Sequence, residues 1–418
     1  MTCSAARFVH LGGARRQRRS WLALLGAIAV AGSAAGCQAR PEAGERRSAP
    51  PLPAAGSGQP ASAPAPAPAS TSASTAPGAG AGAPTWSYAD VVSRVAPAVV
   101  TIHSARRVRE PQQFPFMSDP FFRRFFGDRP QPPRGGQEVR GLGSGVIVTA
   151  DGYCLTNHHV IDGAESISVE LADRRTFDAK VIGSDPPSDL AVLKIDGHDM
   201  PRLTLGDSER VRVGDIALAI GNPLGVGQTV TAGIISAKGR YTGLSDGSFE
   251  DFLQTDAPIN QGNSGGALVN GRAELVGINS QILSTSGGNI GIGFAIPSNM
   301  ARNVMDQLIA GGKVRRGQLG VIVQPVTPEA AKRAGRPDSR GVLVREVVGG
   351  GPAERAGVRA GDIITAFNGA PIDEANGLRI QVAGAQPGAT ATLTFWRDGK
   401  EQQASVTLAE MPPPQRRT

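Results

Sequence analysis

Three cysteines in 418 residues leave little material for a disulfide framework. Cys3 and Cys37 fall in the N-terminal segment, so the rest of the chain holds only Cys154 and cannot close an internal disulfide. Cys154 stands beside Leu155 in an apolar run and reads as a buried thiol. No zinc spacing, phosphate loop or flavin or nicotinamide fingerprint occurs, so no metal and no cofactor is expected, and the chain should act independently of ATP. Gly221-Asn222-Pro223-Leu224-Gly225 is glycine-rich but lies between strands, which makes a nucleotide reading poor. Acidic residues are missing from the first 36 positions. Arg7, Arg15, Arg16, Arg18 and Arg19 there supply five of the seven net positive charges, which leaves +2 for the remainder. That remainder has no basic stripe with interleaved aromatics, and no nucleic acid partner is expected. Aromatics are sparse at 5%, yet Phe114, Phe116, Phe121, Phe122, Phe125 and Phe126 crowd into residues 110–138. An exposed loop with that many rings needs a surface to cover it.

Composition divides the chain. In residues 1–37 a basic stretch precedes the apolar run Trp21 to Ala31 and the small residues Gly32-Ser33-Ala34-Ala35-Gly36-Cys37, the layout of a secretory signal. Ala34-Ala35-Gly36-Cys37 resembles a bacterial lipobox with Cys37 as the lipidated first residue. Cleavage nearby or an uncleaved anchor are the alternatives, and Arg18-Arg19-Ser20-Trp21-Leu22 is a twin-arginine candidate. Residues 38–85 are Ala, Pro, Ser and Gly with almost no large apolar residue, so they cannot offset their ordering entropy and read as a disordered tether. From residue 86 short β-runs dominate: Ile167 to Leu171, Thr176 to Ile182, Leu190 to Ile195, Ile216 to Ile220, Thr229 to Ser236, Ala273 to Ile278, Ile292 to Ile296. So many short strands with turn signals between them argue for a mostly β sandwich or barrel. Asn270-Gly271 marks a tight hairpin. Ser87 is expected to cap a helix to Val95, and Ser298 one that stops before Gly311-Gly312.

Three motifs carry chemistry. Ser264 lies in Gly262-Asn263-Ser264-Gly265-Gly266, where glycines allow positive φ and close backbone approach. A serine nucleophile needs that setting, with the N–H groups of Gly262 and Ser264, on either side of Asn263, forming an oxyanion hole. Upstream stand Thr156-Asn157-His158-His159-Val160 and Ser188-Asp189-Leu190-Ala191-Val192-Leu193-Lys194-Ile195. The chain order His, Asp, Ser is that of chymotrypsin-like sites. Composition alone leaves His158 and His159 both open.

These motifs, with Ala219-Ile220-Gly221-Asn222-Pro223, Gln254-Thr255-Asp256 and Gly291-Ile292-Gly293-Phe294-Ala295-Ile296-Pro297, resemble the HtrA (Deg) serine proteases from about Trp86 to Met411. One departure is Gln261, where many members carry proline or arginine. The resemblance implies a chymotrypsin-like double β-barrel protease domain over 86–312. It selects His159, the residue before the valine, with Asp189 and Ser264 as the triad. It implies a specificity pocket of Ile259, Ile282 and Leu283 for small aliphatic side chains. It also implies a homotrimer, and a loop over 110–138 that packs on a neighbouring subunit or on the active site.

From Arg316 a second pattern starts. Gly351-Pro352-Ala353-Glu354-Arg355-Ala356-Gly357 through Gly361-Asp362-Ile363-Ile364 looks like the core of an α+β PDZ domain, placed at 315–411 with a disordered tail at 412–418. Backbone N–H groups of Leu319, Gly320 and Val321 can capture a C-terminal carboxylate, and Leu378 and Val382 on a helix would line the pocket. The expected protein is a periplasmic or cell-envelope serine endopeptidase, with Cys37 as a candidate membrane tether, that cleaves unfolded polypeptides and responds to C-terminal peptides. A site-specific signalling protease, or a PDZ peptide-binding or chaperone module with little proteolysis, are the alternatives.

Overall fold

A computed structural model describes residues 87–107, 138–222, 227–243, 249–260, 262–283 and 289–412. The expected signal with Cys37, the tether at 38–85, the segment Phe114 to Phe126, Gln261 and the residues after Pro412 lie outside the described residues.

Six strands close a first antiparallel barrel: β1 (Val99–Arg107), β2 (Glu138–Ile147), β3 (Tyr153–Thr156), β4 (Ser166–Glu170), β5 (Thr176–Asp185) and β6 (Leu190–Ile195). Their order is β1-β2-β3-β6-β5-β4, closed by β1 on β4. A second barrel follows from β7 (Ile216–Gly221), β8 (Thr229–Arg240), β9 (Phe252–Thr255), β10 (Ala267–Val269), β11 (Leu275–Ile282) and β12 (Gly293–Pro297), closed by β7 on β10.

The strands read as unbroken apolar runs because both faces are buried. In β6, Ala191, Leu193 and Ile195 fill the first barrel, while Leu190 and Val192 turn into the layer between the barrels. In β7, Ala217 and Ala219 fill the second barrel, while Leu218 and Ile220 meet the same layer. Alternate side chains point to opposite faces, so one strand serves two cores. Cys154 lies in the first of these cores, and burial pushes its thiol up to about 12, which keeps it an inert thiol at neutral pH.

Helix α1 (Ala89–Val95) opens the fold, with the Ser87 hydroxyl accepting from the Ala89 N–H at 3.2 Å. The short helix α2 (His158–Ile161) follows β3. Helix α3 (Ser298–Gly311) lays Ala301, Val304, Met305 and Leu308 on the layer between the barrels, an i, i+3, i+4, i+7 stripe. Ser298 does not cap it. Pro297 takes that position, and the Ser298 hydroxyl donates to the Gly206 carbonyl at 2.8 Å. Asn270-Gly271 is not a two-residue hairpin either. The turn runs Asn270 to Glu274, and Ala273 holds the left-handed φ of 64°. The Asn270 side chain accepts from the Arg272 and Glu274 N–H groups and so shapes a wider loop.

The C-terminal domain pairs β13 (Gly317–Gln318) with β20 (Ala409–Glu410). Its main sheet is β14 (Val321–Pro325), β15 (Val342–Val347), β16 (Ile363–Phe367), β18 (Thr390–Arg397) and β19 (Lys400–Thr407), with β17 (Ala370–Pro371) beside β16. Helices α4 (Pro328–Arg333), α5 (Pro352–Arg355) and α6 (Ala375–Gly384) complete it. Among the described residues, strand β14 pairs only with β15 and leaves its other edge toward α6.

Candidate active site

Asp189 is set by an unusual backbone. A 3₁₀ turn, Pro186–Ser188, ends on Asp189 in the left-handed region at φ 55°. Few non-glycine residues hold that conformation unless their surroundings fix it. Here the surroundings do. The Asp189 carbonyl accepts from the His158 N–H at 3.1 Å and from Asn157 Nδ2 at 3.0 Å. Its carboxylate accepts from the His159 N–H at 3.1 Å and from His159 Nδ1 at 2.8–2.9 Å. Ser280 Oγ donates to the same carboxylate at 2.9 Å. Burial pushes the Asp189 carboxyl up, but the His159 charge, the His159 hydrogen bonds and the Ser280 hydroxyl outweigh it and hold the group below its ordinary value.

An ionised carboxylate only accepts, so His159 carries its hydrogen on Nδ1 and leaves the lone pair on Nε2. Its side chain is 7% exposed. His158, one residue earlier on α2, faces elsewhere, with Nε2 3.7 Å from Asp162 Oδ1.

Ser264 approaches from the second barrel. Its Oγ donates to the Ser280 carbonyl at 2.9 Å, so Ser280 touches Ser264 through its backbone and Asp189 through its side chain. Gly262 and Gly265 hold φ of 98° and 83°. A Cβ on Gly265 would collide with the Ser144 carbonyl and Thr156 Oγ1, and one on Gly266 with the Ile220 carbonyl. The loop therefore needs glycine at both positions. Ser144 of β2 stitches it to the first barrel: its N–H donates to the Ser264 carbonyl at 2.9 Å and its hydroxyl to the Gly262 carbonyl at 2.6 Å. Among the described residues, no acceptor takes the Ser264 N–H. Asp189 thus links His159 of the first barrel to Ser264 of the second through Ser280, while the Ser264 hydroxyl bonds the Ser280 carbonyl rather than the ring. A ring nitrogen, a hydroxyl and a bare N–H are the parts an acyl-transfer site requires.

Sequence reasoning missed Ser144 and Ser280. Ser144 had a faint signal, a serine between Gly143 and Gly145; Ser280 had none. The three residues expected to form the specificity pocket separate. Ile259 and Ile282 are fully buried in the second barrel's core, with Ile259 against Gly293, whereas Leu283 is 44% exposed.

The C-terminal domain bears on the Asp189 turn. Arg316 bonds both oxygens of Asp185, at 2.9 and 2.5 Å, and the pair is nearly buried. Asp185 in turn accepts from the Ser188 N–H at 3.1 Å and from the Ser188 hydroxyl. Phe249, with the Arg316 and Arg379 guanidiniums over its ring at 4.3 and 4.4 Å, donates its N–H to the Pro187 carbonyl at 2.6 Å. Arg316→Ala strands a buried carboxylate, which should cost about 3–5 kcal/mol of stability. Thermal unfolding should show a clearly lower Tm, and adding Asp185→Ala should recover part of it. An unchanged Tm in the single variant would show that the pair is not structural.

In the C-terminal domain a groove of about 830 Å³ lies between β14 and α6, with Leu319, Gly320, Val321, Leu378 and Val382 in its wall. Gly320 holds φ 78°, and among the described residues the Leu319 and Gly320 N–H groups have no acceptor.

A family profile described as a trypsin-like peptidase domain matches residues 143–278, and one described as a PDZ domain matches 317–408. The chain is 47% identical over 327 residues to the Escherichia coli periplasmic pH-dependent serine endoprotease DegQ, covering 78% of this chain and 70% of the relative. It is 44% identical over 348 residues to the Escherichia coli periplasmic serine endoprotease DegP, covering 78% and 72%. Among solved structures, the HtrA-type protease AlgW with a decapeptide superposes with a TM-score of 0.61 at 47% identity, covering 78% of this chain and all of that one.

Proposed function

Because the chain belongs to the HtrA (Deg) family of serine endoproteases, we propose that it is an ATP-independent endopeptidase of the periplasm or cell envelope whose nucleophile is Ser264. It cleaves unfolded polypeptides after small aliphatic residues, and C-terminal peptides in its PDZ groove raise its rate. The observation that carries the reading is Ser280 bridging Asp189 and Ser264 while His159 Nδ1 bonds the same Asp189 carboxylate.

Ser264 Oγ gives up its bond to the Ser280 carbonyl, transfers its hydrogen to His159 Nε2 and attacks the scissile carbonyl. The N–H groups of Ser264 and Gly262 receive the developing oxyanion. His159 returns the hydrogen to the leaving amine, and then takes one from the water that hydrolyses the acyl-enzyme. Asp189 holds the imidazole on Nδ1 and stabilises its cationic form. Ile259, Ile282 and Leu283 would frame an uncharged pocket, with Leu283 exposed and the two isoleucines buried in the barrel core behind it. Such a pocket separates side chains that differ by one methylene only about 10–200-fold, which suits exposed aliphatic residues of unfolded chains. A homotrimer and a lipid anchor at Cys37 complete the reading.

Casein and a folded control protein, each offered with and without a hydrophobic-ended peptide, test it. Casein should be cleaved and the folded control spared. Peptide should raise the casein rate by about 5–150-fold, the range of ordinary coupling between sites. Peptide that binds without changing the rate would make the groove a substrate tether rather than a switch.

A further inference from the structure

The PDZ-type groove has two unlike ends. At one end the Gly317 N–H donates to the Ala385 carbonyl at 3.1 Å, so the C-terminal end of α6 sits beside the Leu319–Gly320 turn. At the other end Asn376 Nδ2 donates to the Glu250 carbonyl at 2.8 Å, so the N-terminal end of α6 abuts the second barrel. A peptide whose carboxylate rests on the Leu319–Gly320 turn and which pairs with β14 must run antiparallel to it, toward that barrel. Asn376 lies six residues from Val382, about 9 Å along a helix. A strand rises about 3.3 Å per residue. The side chains of roughly the third to fifth residues from the peptide's end therefore reach the barrel.

The barrel meets them with charge. Glu250 fixes the segment after β8, accepting from the Thr242 N–H at 2.6 Å and the Gly243 N–H at 3.1 Å. Just before it, Lys238, Arg240 and Tyr241 line the groove. Arg240 is exposed. Its Nε donates to Gln254 Oε1 at 3.1 Å, and no described carboxylate pairs with it. Lys238 donates to the Glu209 carbonyl and faces the Asp207 and Asp251 carboxylates, so Arg240 is the cation left to a ligand. Arg379 on α6 lies over the Phe249 ring, and the carboxylates nearby are Glu374 on the groove wall and Asp251 beside Gly239. Tyr241, 49% exposed, offers an aromatic face at the same mouth.

We propose that this groove binds polypeptide C-termini with an apolar last residue and an acidic side chain about three to five residues upstream, the acid resting on Arg240 of the protease barrel. This rests on the reading of the groove as a C-terminal peptide site and adds the chemistry of its ligand. The selectivity belongs to neither domain alone. The PDZ-type domain reads the terminus, and the end of β8 reads the upstream charge.

The test uses the full chain carrying Ser264→Ala, so that probes are not cut, and fluorescence polarisation of labelled decapeptides ending in valine. Glutamate, glutamine or lysine is placed third, fourth or fifth from the end. At low salt the best glutamate peptide should bind about two- to fivefold tighter than its glutamine twin, the size of an exposed ion pair, and the lysine peptide weaker still. About 0.5 M salt should erase the ranking. Arg240→Gln should level it and Arg240→Glu should invert it, with Tm unchanged because Arg240 is exposed. Equal affinities for all three peptides, or a ranking that survives Arg240→Glu, overturns the proposal while leaving the groove a C-terminal site. A C-terminally amidated peptide that binds as well as the free acid overturns the groove reading itself.

Discussion

Ser264→Ala should lower casein turnover by about 10⁴–10⁶-fold, the usual cost of removing one member of a catalytic triad. The fold should survive. The loop around Ser264 is held by backbone groups that alanine keeps: the Ser264 carbonyl on the Ser144 N–H, the Gly265 N–H on the Asn279 carbonyl, and the Gly266 N–H on the Asn263 carbonyl. Among the described residues, the side-chain bond lost is the one to the Ser280 carbonyl. A single such bond is worth about 1 kcal/mol, so Tm should fall by no more than a few degrees. The Ser280 hydroxyl also reaches Asp189 and is the candidate substitute among the described residues. It donates to the carboxylate, however, and a hydroxyl committed to an anion is a poor attacking group. Casein cleavage within tenfold of the parent, with fold and Tm intact, would remove Ser264 from the nucleophile's place.

The barrels were legible because each strand is short, apolar and bounded by turn residues. Leu190 to Ile195 could be marked as a strand, but not assigned to two cores, since the layer between the barrels is built from pieces far apart in sequence. Local hydrogen bonding was less legible. Ser298 looks like a helix cap, yet its hydroxyl is drawn to the Gly206 carbonyl, 92 positions away. Asn270-Gly271 looks like a tight turn, yet the Asn270 side chain takes two backbone N–H groups and moves the left-handed residue to Ala273. The site divides the same way. His159, Asp189 and Ser264 stand in motifs whose neighbours advertise them. Ser144, Ser280 and the Arg316–Asp185 pair work through partners 118, 91 and 131 positions distant, which no local pattern can indicate.

The adjacent histidines give the sharpest separation. His159→Ala should be as inactive as Ser264→Ala, whereas His158→Ala should keep activity within about tenfold. Neighbours on a helix point about 100° apart, so only one of the two can face Asp189. His159 does, with ring and backbone both bonded to that carboxylate. His158 has only Asp162, 3.7 Å away and half exposed, a contact worth under about 1 kcal/mol. Its backbone N–H, which holds the Asp189 carbonyl, is untouched by alanine. Asp189→Asn completes the set. The carboxamide keeps the shape but can donate to Nδ1, which moves the imidazole hydrogen to Nε2 and leaves no base for Ser264. A loss of about 10⁴-fold is expected, as for other triads so altered. The same variant has a stability signature of definite sign. The folded state holds the Asp189 carboxyl below its ordinary value, so ionised Asp189 stabilises the fold above about pH 4 and loses that contribution as pH falls through its lowered value. A carboxamide cannot titrate, so the variant should be less stable than the parent at pH 7, with the gap closing below about pH 4. A His158→Ala enzyme that is dead beside an active His159→Ala enzyme would exchange their roles and break the link between Asp189 and the base.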